Sequence, residues 1–103
     1  MRTIKGTDHP QLAEIESILG DVFARKNCKC YLFGSRATGT HRATSDVDIA
    51  VLADEDVRWE MGLARERLEA SNVVLKVDLV ELRTASEPFV KRVFGEGILL
   101  CNG

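Results

Sequence analysis

The sequence predicts an α/β (α+β) chain: a small mixed β-sheet packed against helices. Two observations carry this. Apolar residues recur at helical spacing in Leu12, Ile15, Leu19, Val22 and Phe23. Short apolar and β-branched runs then alternate with further helical segments, an order that favours a sheet with helices lying on it.

The elements follow in order. Asp8 can cap the first helix, with Pro10 in its first turn and His9 just before it. Gly20 lies inside the helical pattern and should cost about 1 kcal/mol relative to alanine. The first strand is read at about Cys28–Phe33, with Cys28 and Cys30 on one face. A short helix is expected after Ser35, and a second strand at about Asp46–Leu52. Asp54 and Asp56 open a long helix running roughly from Asp56 to Ala70, where acids suit the positive end of the helix dipole. Its expected buried contacts are Trp59, Leu63 and Leu68, with Met61 and Ala64 filling between them. A core role for Trp59 is favoured over stacking on a nucleobase.

Ser71-Asn72 breaks that helix. The run from Val73 to Leu82 reads as a third strand, with Leu75, Val77 and Leu79 on one face and Lys76, Asp78 and Val80 on the other. Glu87-Pro88 starts a last helix with Phe89, Val90, Val93 and Phe94 apolar, a face read as core. Gly95 and Gly97 end it before a terminal strand, Ile98-Leu99-Leu100. The chain is read as one domain, residues 1–103.

The chemistry concentrates between the first two strands. Gly34-Ser35 is followed, after ten residues, by Asp46-Val47-Asp48 and then by Ile49-Ala50-Val51-Leu52. Alternate residues of a strand share a face, so Asp46 and Asp48 point the same way with Cα atoms roughly 6.5–7 Å apart. Ionised carboxylates on a buried strand need a positive counterpart. A divalent cation accompanying nucleotide phosphates fits, because Mg²⁺ takes one or two carboxylates plus phosphate oxygens. Asp78, in the centre of the third apolar run, becomes a third acid if that strand pairs with the second.

Gly34-Ser35-Arg36-Ala37-Thr38-Gly39 and Ser45-Asp46-Val47-Asp48-Ile49 resemble the signature of the polymerase β-type nucleotidyltransferase superfamily, and of its minimal nucleotidyltransferases (MNT) in particular. The resemblance covers most of the chain. Many relatives carry a basic residue where Thr38 stands, which puts one phosphate contact in doubt. The resemblance implies the polymerase β-like fold and a metal-dependent transfer of a nucleoside monophosphate, with ATP as the expected donor. Nucleotide binding then falls to Gly34, Ser35, Arg36 and Ser45, with the triphosphate against the Gly34-Ser35 turn and the Ser35 hydroxyl on the terminal phosphates. Asp46 and Asp48 would hold Mg²⁺, one ion or two, and Asp78 would complete the second site and favour deprotonation of the acceptor hydroxyl. MNT proteins often stand beside a helical HEPN protein as a toxin–antitoxin pair, the MNT member adding AMP to a tyrosine of its partner. A HEPN-type partner or a second copy of the chain is therefore expected. The alternatives are a non-catalytic antitoxin that neutralises its partner by binding, and transfer to a small-molecule hydroxyl.

Composition narrows the setting. Fourteen Lys and Arg against sixteen Asp and Glu leave a formal charge of −2, and no basic stripe is evident. Processive nucleic-acid synthesis is not expected of such a surface. Arg36 and Arg42 flank the phosphate turn, while Arg65/Arg67 and Lys91/Arg92 stand beside acids. The odd count of three cysteines and the polar start Met1-Arg2-Thr3-Ile4-Lys5 point to a reduced, cytoplasmic protein without a signal peptide. Cys28-Lys29-Cys30 is too tightly spaced for a zinc knuckle. No apolar run approaches membrane-spanning length. His41 is read as solvent-exposed.

Overall fold

The computed structural model describes residues 10–24, 26–34 and 46–102. Within them the chain forms α1 (Pro10–Val22), β1 (Cys28–Phe33), β2 (Val47–Ala53), α2 (Arg58–Glu69), β3 (Val77–Glu81), a 3₁₀ turn (Leu82–Thr84), α3 (Glu87–Glu96) and β4 (Ile98–Asn102). The short helix expected after Ser35 lies outside the described residues. The strands make one mixed sheet in the order β3-β2-β1-β4. β1 runs antiparallel to both β2 and β4, and β2 runs parallel to β3. A parallel neighbour requires a crossover, and α2 supplies it.

Two apolar layers sandwich the sheet. Leu12, Ile15 and Leu19 of α1, Phe23 just after it, and Met61, Ala64 and Leu68 of α2 pack with Val47, Ile49, Val51 and Leu79 on one face. Tyr31, Phe33, Ala50, Leu82 and Val93 form a smaller cluster on the other, with Val80, Phe89 and Val90 against it. Ile15, Leu19 and Phe23 are fully buried, as the α1 pattern predicts. Side chains packed this way typically lose about 2–5 kcal/mol on truncation to alanine.

The buried stripe of α2 corrects one expectation. Val57, Met61, Ala64 and Leu68 are buried at spacings of four, three and four, whereas Leu63 is half-buried and Trp59 is 73 % exposed. Val57 sets the phase, and Trp59, two positions on, falls on the opposite side of the helix. Asp56 holds the start of α2: its carboxylate accepts the Arg58 backbone N–H at 2.9 Å and the Arg58 guanidinium at 2.8 Å. Those bonds lower the Asp56 carboxyl to about 2. At the far end the Ser71 hydroxyl donates to the Leu68 carbonyl at 2.6 Å and accepts the Val73 N–H at 3.1 Å, turning the chain out of the helix.

β3 is shorter than the apolar run suggests. Val73, Leu75 and Val77 do pack on the α1/α2 face, but Val74 and Leu75 donate their N–H groups to Gln11 Oε1 of α1, both at 3.1 Å. A side-chain amide thus takes the bonds a strand partner would have made. The ladder begins where Val47 N–H meets the Lys76 carbonyl at 2.8 Å. On the outer edge of β3, Arg65 donates to the Leu79 carbonyl at 3.1 Å and covers part of an otherwise open strand.

On the other face α3 buries Val93, half-buries Phe89 and Val90, and leaves Phe94 42 % exposed. Phe89 meets Phe33 edge-on at 5.3 Å, and Phe94 meets Tyr31 edge-on at 5.6 Å. Pro88 stands in its first turn, and Gly97 ends it by donating to the Val93 carbonyl at 2.6 Å.

Candidate active site

Asp48 and Asp78 are register partners in the parallel β2–β3 ladder. Paired residues in adjacent strands lie about 4.8 Å apart and project from the same face. The third strand therefore does join the second, and Asp78 lies beside Asp48. Asp46 stands one residue before β2, exposed, and alternation puts it on the Asp48 side. This is the face of Ala50, Val80 and Phe33, opposite the α1/α2 core.

The turn after β1 closes on the same spot. Phe33 is the register partner of Asp48, and Gly34 follows it. Gly34 has φ of +75°, a conformation that suits glycine. A Cβ built there would lie 2.5 Å from Asp48 Oδ2, so glycine also permits the close approach of the acid to the turn. Ser35, Arg36 and Ser45, the other expected nucleotide-binding residues, lie outside the described residues, as do His41 and Arg42.

Asp48 records what surrounds it. Partial burial raises its pKa above the ordinary carboxylate value, the charges of Asp78 and Asp46 raise it further, and Arg92 opposes them. Three acids near enough to repel at one of their number form a site suited to a cation. Among the described residues no three acidic, histidine or cysteine side chains close into a ready metal cage. The acids form an open row, which suits Mg²⁺ shared with phosphate oxygens better than a closed structural site would.

Two residues around Asp48 escaped the sequence reading. Phe33 faces Asp48 across the ladder, a relation set by register alone. Arg92 of α3 carries the positive charge that opposes the rise of the Asp48 pKa, and in the sequence it looks like one of several basic residues beside acids.

The sequence model of the family described as Polymerase beta, Nucleotidyltransferase matches residues 15–103. This chain belongs to that family. Its polymerase β-like fold, three helices on a four-stranded mixed sheet within the described residues, is the family's own. Similar proteins include the protein adenylyltransferase MntA of Shewanella oneidensis, 45 % identical over 71 residues, which make up 65 % of this chain and 48 % of the relative. The chain thus matches about half the length of that protein. A probable protein adenylyltransferase MntA of Haemophilus influenzae is 32 % identical over 83 residues, covering 77 % of this chain and 68 % of the relative. Among solved structures, a toxin–antitoxin with AMP-PNP aligns at a TM-score of 0.64 and 36 % identity, covering 85 % of this chain and 73 % of that one. The tri-AMPylated HEPN toxin of S. oneidensis in complex with its MNT antitoxin aligns at a TM-score of 0.66 and 30 % identity, covering 91 % and 71 %. Among the described residues no helix is long and apolar enough to cross a membrane.

Proposed function

We propose that this nucleotidyltransferase domain, residues 1–103, transfers AMP from ATP to a hydroxyl of a helical HEPN-type partner protein, with release of pyrophosphate. The observation that carries the reading is the pairing of Asp48 with Asp78 beside the Gly34 turn. Its family setting adds support: similar proteins bear the name protein adenylyltransferase, and a similar antitoxin is seen with an AMPylated HEPN toxin. A cytoplasmic setting goes with ATP as donor.

Asp46 and Asp48 would hold Mg²⁺, with Asp78 completing a second site. When bound, Mg²⁺ neutralises the triphosphate and stabilises the charge that builds on the attacking and leaving oxygens. Backbone N–H groups at Gly34-Ser35 would meet the phosphates, with Ser35, Arg36 and Ser45 as the further nucleotide-binding residues the family resemblance implies. Asp78 faces solvent, so it can take the acceptor's proton and pass it to water. The acceptor oxygen forms a bond to the α-phosphorus as the bond from that phosphorus to the bridging oxygen breaks. Pyrophosphate leaves with the electron pair.

The test uses α-labelled ATP, Mg²⁺ and the protein encoded beside this one. Label should move to that protein. Asp46→Asn and Asp48→Asn should each lower transfer by about 10²-fold or more, the scale for losing one preorganised charge-stabilising group. Transfer undiminished in both variants would refute the assignment of the acids.

A further inference from the structure

α3 brings a cation to the site from the opposite side to Asp78. Sheet order places β3, with Asp78, on one side of Asp48 and β1, with Phe33 and Gly34, on the other. α3 packs over β1 on the acids' face. Its Phe89 rests edge-on against Phe33, the register partner of Asp48. Arg92 is three residues on from Phe89 and shares that flank of the helix. Phe94 occupies the other flank, against Tyr31.

Arg92 is loosely held. Its Nε donates to Glu96 at 3.4 Å, with the two side chains 59 % and 42 % exposed. An exposed pair one helical turn apart, at that distance, belongs to the weak class of ion pairs. The guanidinium can leave Glu96 at little cost, and its fork matches phosphate oxygens. The neighbouring Lys91 pairs with Glu87 at 3.2 Å and lies about 100° around the helix from Arg92.

We propose that Arg92 contacts the β- and γ-phosphates of the bound nucleotide and steadies the departing pyrophosphate; this rests on the nucleotidyl-transfer reading above. Asp78 then serves the acceptor side of Asp48 and Arg92 the leaving-group side. Catalysis of phosphoryl-type transfer depends on charge stabilisation where negative charge grows, and in this reaction it grows on the leaving group.

Calorimetric titration in Mg²⁺ with inorganic pyrophosphate, and separately with AMP, tests the assignment without an acceptor. Arg92→Gln should weaken pyrophosphate binding roughly tenfold, the scale of one charge-assisted hydrogen bond. AMP, which lacks the distal phosphates, should bind as before. Arg92→Lys should restore most of the loss, and Lys91→Gln should change neither ligand. Pyrophosphate binding unchanged in Arg92→Gln overturns the inference. Equal loss of pyrophosphate and AMP also overturns it, because a merely structural role would weaken both. If the parent binds neither ATP nor pyrophosphate, the nucleotide reading fails and the inference goes with it.

Discussion

Replacing Gly34 by alanine should destabilise the protein and displace Asp48 together. An L-residue at the Gly34 φ of +75° costs about 1–2 kcal/mol in the left-handed region. The new Cβ would also stand 2.5 Å from Asp48 Oδ2, so one of the two groups must move. The Asp48 side chain is the softer, and driving it off its rotamer costs about 0.5–1.5 kcal/mol. The sum is about 1.5–3.5 kcal/mol, which for a chain of 103 residues lowers the melting temperature by about 6–28 °C. Circular dichroism melts of the parent, Gly34→Ala, Asp48→Ala and the double variant separate the two contributions. Asp48→Ala removes the colliding oxygen, so the double variant should recover the collision part, about 1 kcal/mol, and keep the backbone part. Mg²⁺–ATP binding should fall in Gly34→Ala even where the protein remains folded. A Gly34→Ala protein that melts like the parent, or four melts that add with no coupling, would refute the close approach of the turn to the acid.

Two other outcomes follow from the same geometry. Gly62 lies within α2 with nothing near its missing Cβ, so Gly62→Ala should stabilise by about 0.5–1 kcal/mol in a denaturant titration. A loss of stability there would show that the α2 surface is misplaced. Asp48→Asn tests the repulsion among the acids. The Asp48 pKa is raised in the folded protein, so its ionised form opposes folding above that pKa, and the opposition fades as pH falls through it. In metal-free buffer Asp48→Asn should melt above the parent at pH 7, and the gap should close as the pH falls through the raised pKa. A gap of constant size, or a parent that is the more stable at pH 7, would contradict the raised pKa.

Periodicity carried most of the fold. The α1 stripe, the first strand and the order of the described elements were legible because each is set by local pattern. Trp59 was misjudged because α2 begins after Val57, and the phase of its buried face depends on that start. β3 was read too long because Val73–Leu75 are apolar like a strand, while a Gln11 side chain from a distant helix takes their N–H groups. The spacing of Asp46 and Asp48 spoke for itself. The partnership of Asp48 with Asp78 was an inference about register, which only tertiary pairing sets. Arg92 was illegible as a site neighbour, since nothing local tells which strand α3 will cover.

The parallel pairing of β2 with β3 leaves a particular freedom and a particular constraint. The crossover between them can lengthen or shorten without disturbing Asp48, because insertions in connecting segments cost little so long as the strands return to the same alignment. A slip of one position is another matter. It would turn residue 78 inward among Ile49 and Val51, strand a carboxylate in oil, and leave its partner across the ladder facing a valine or a leucine.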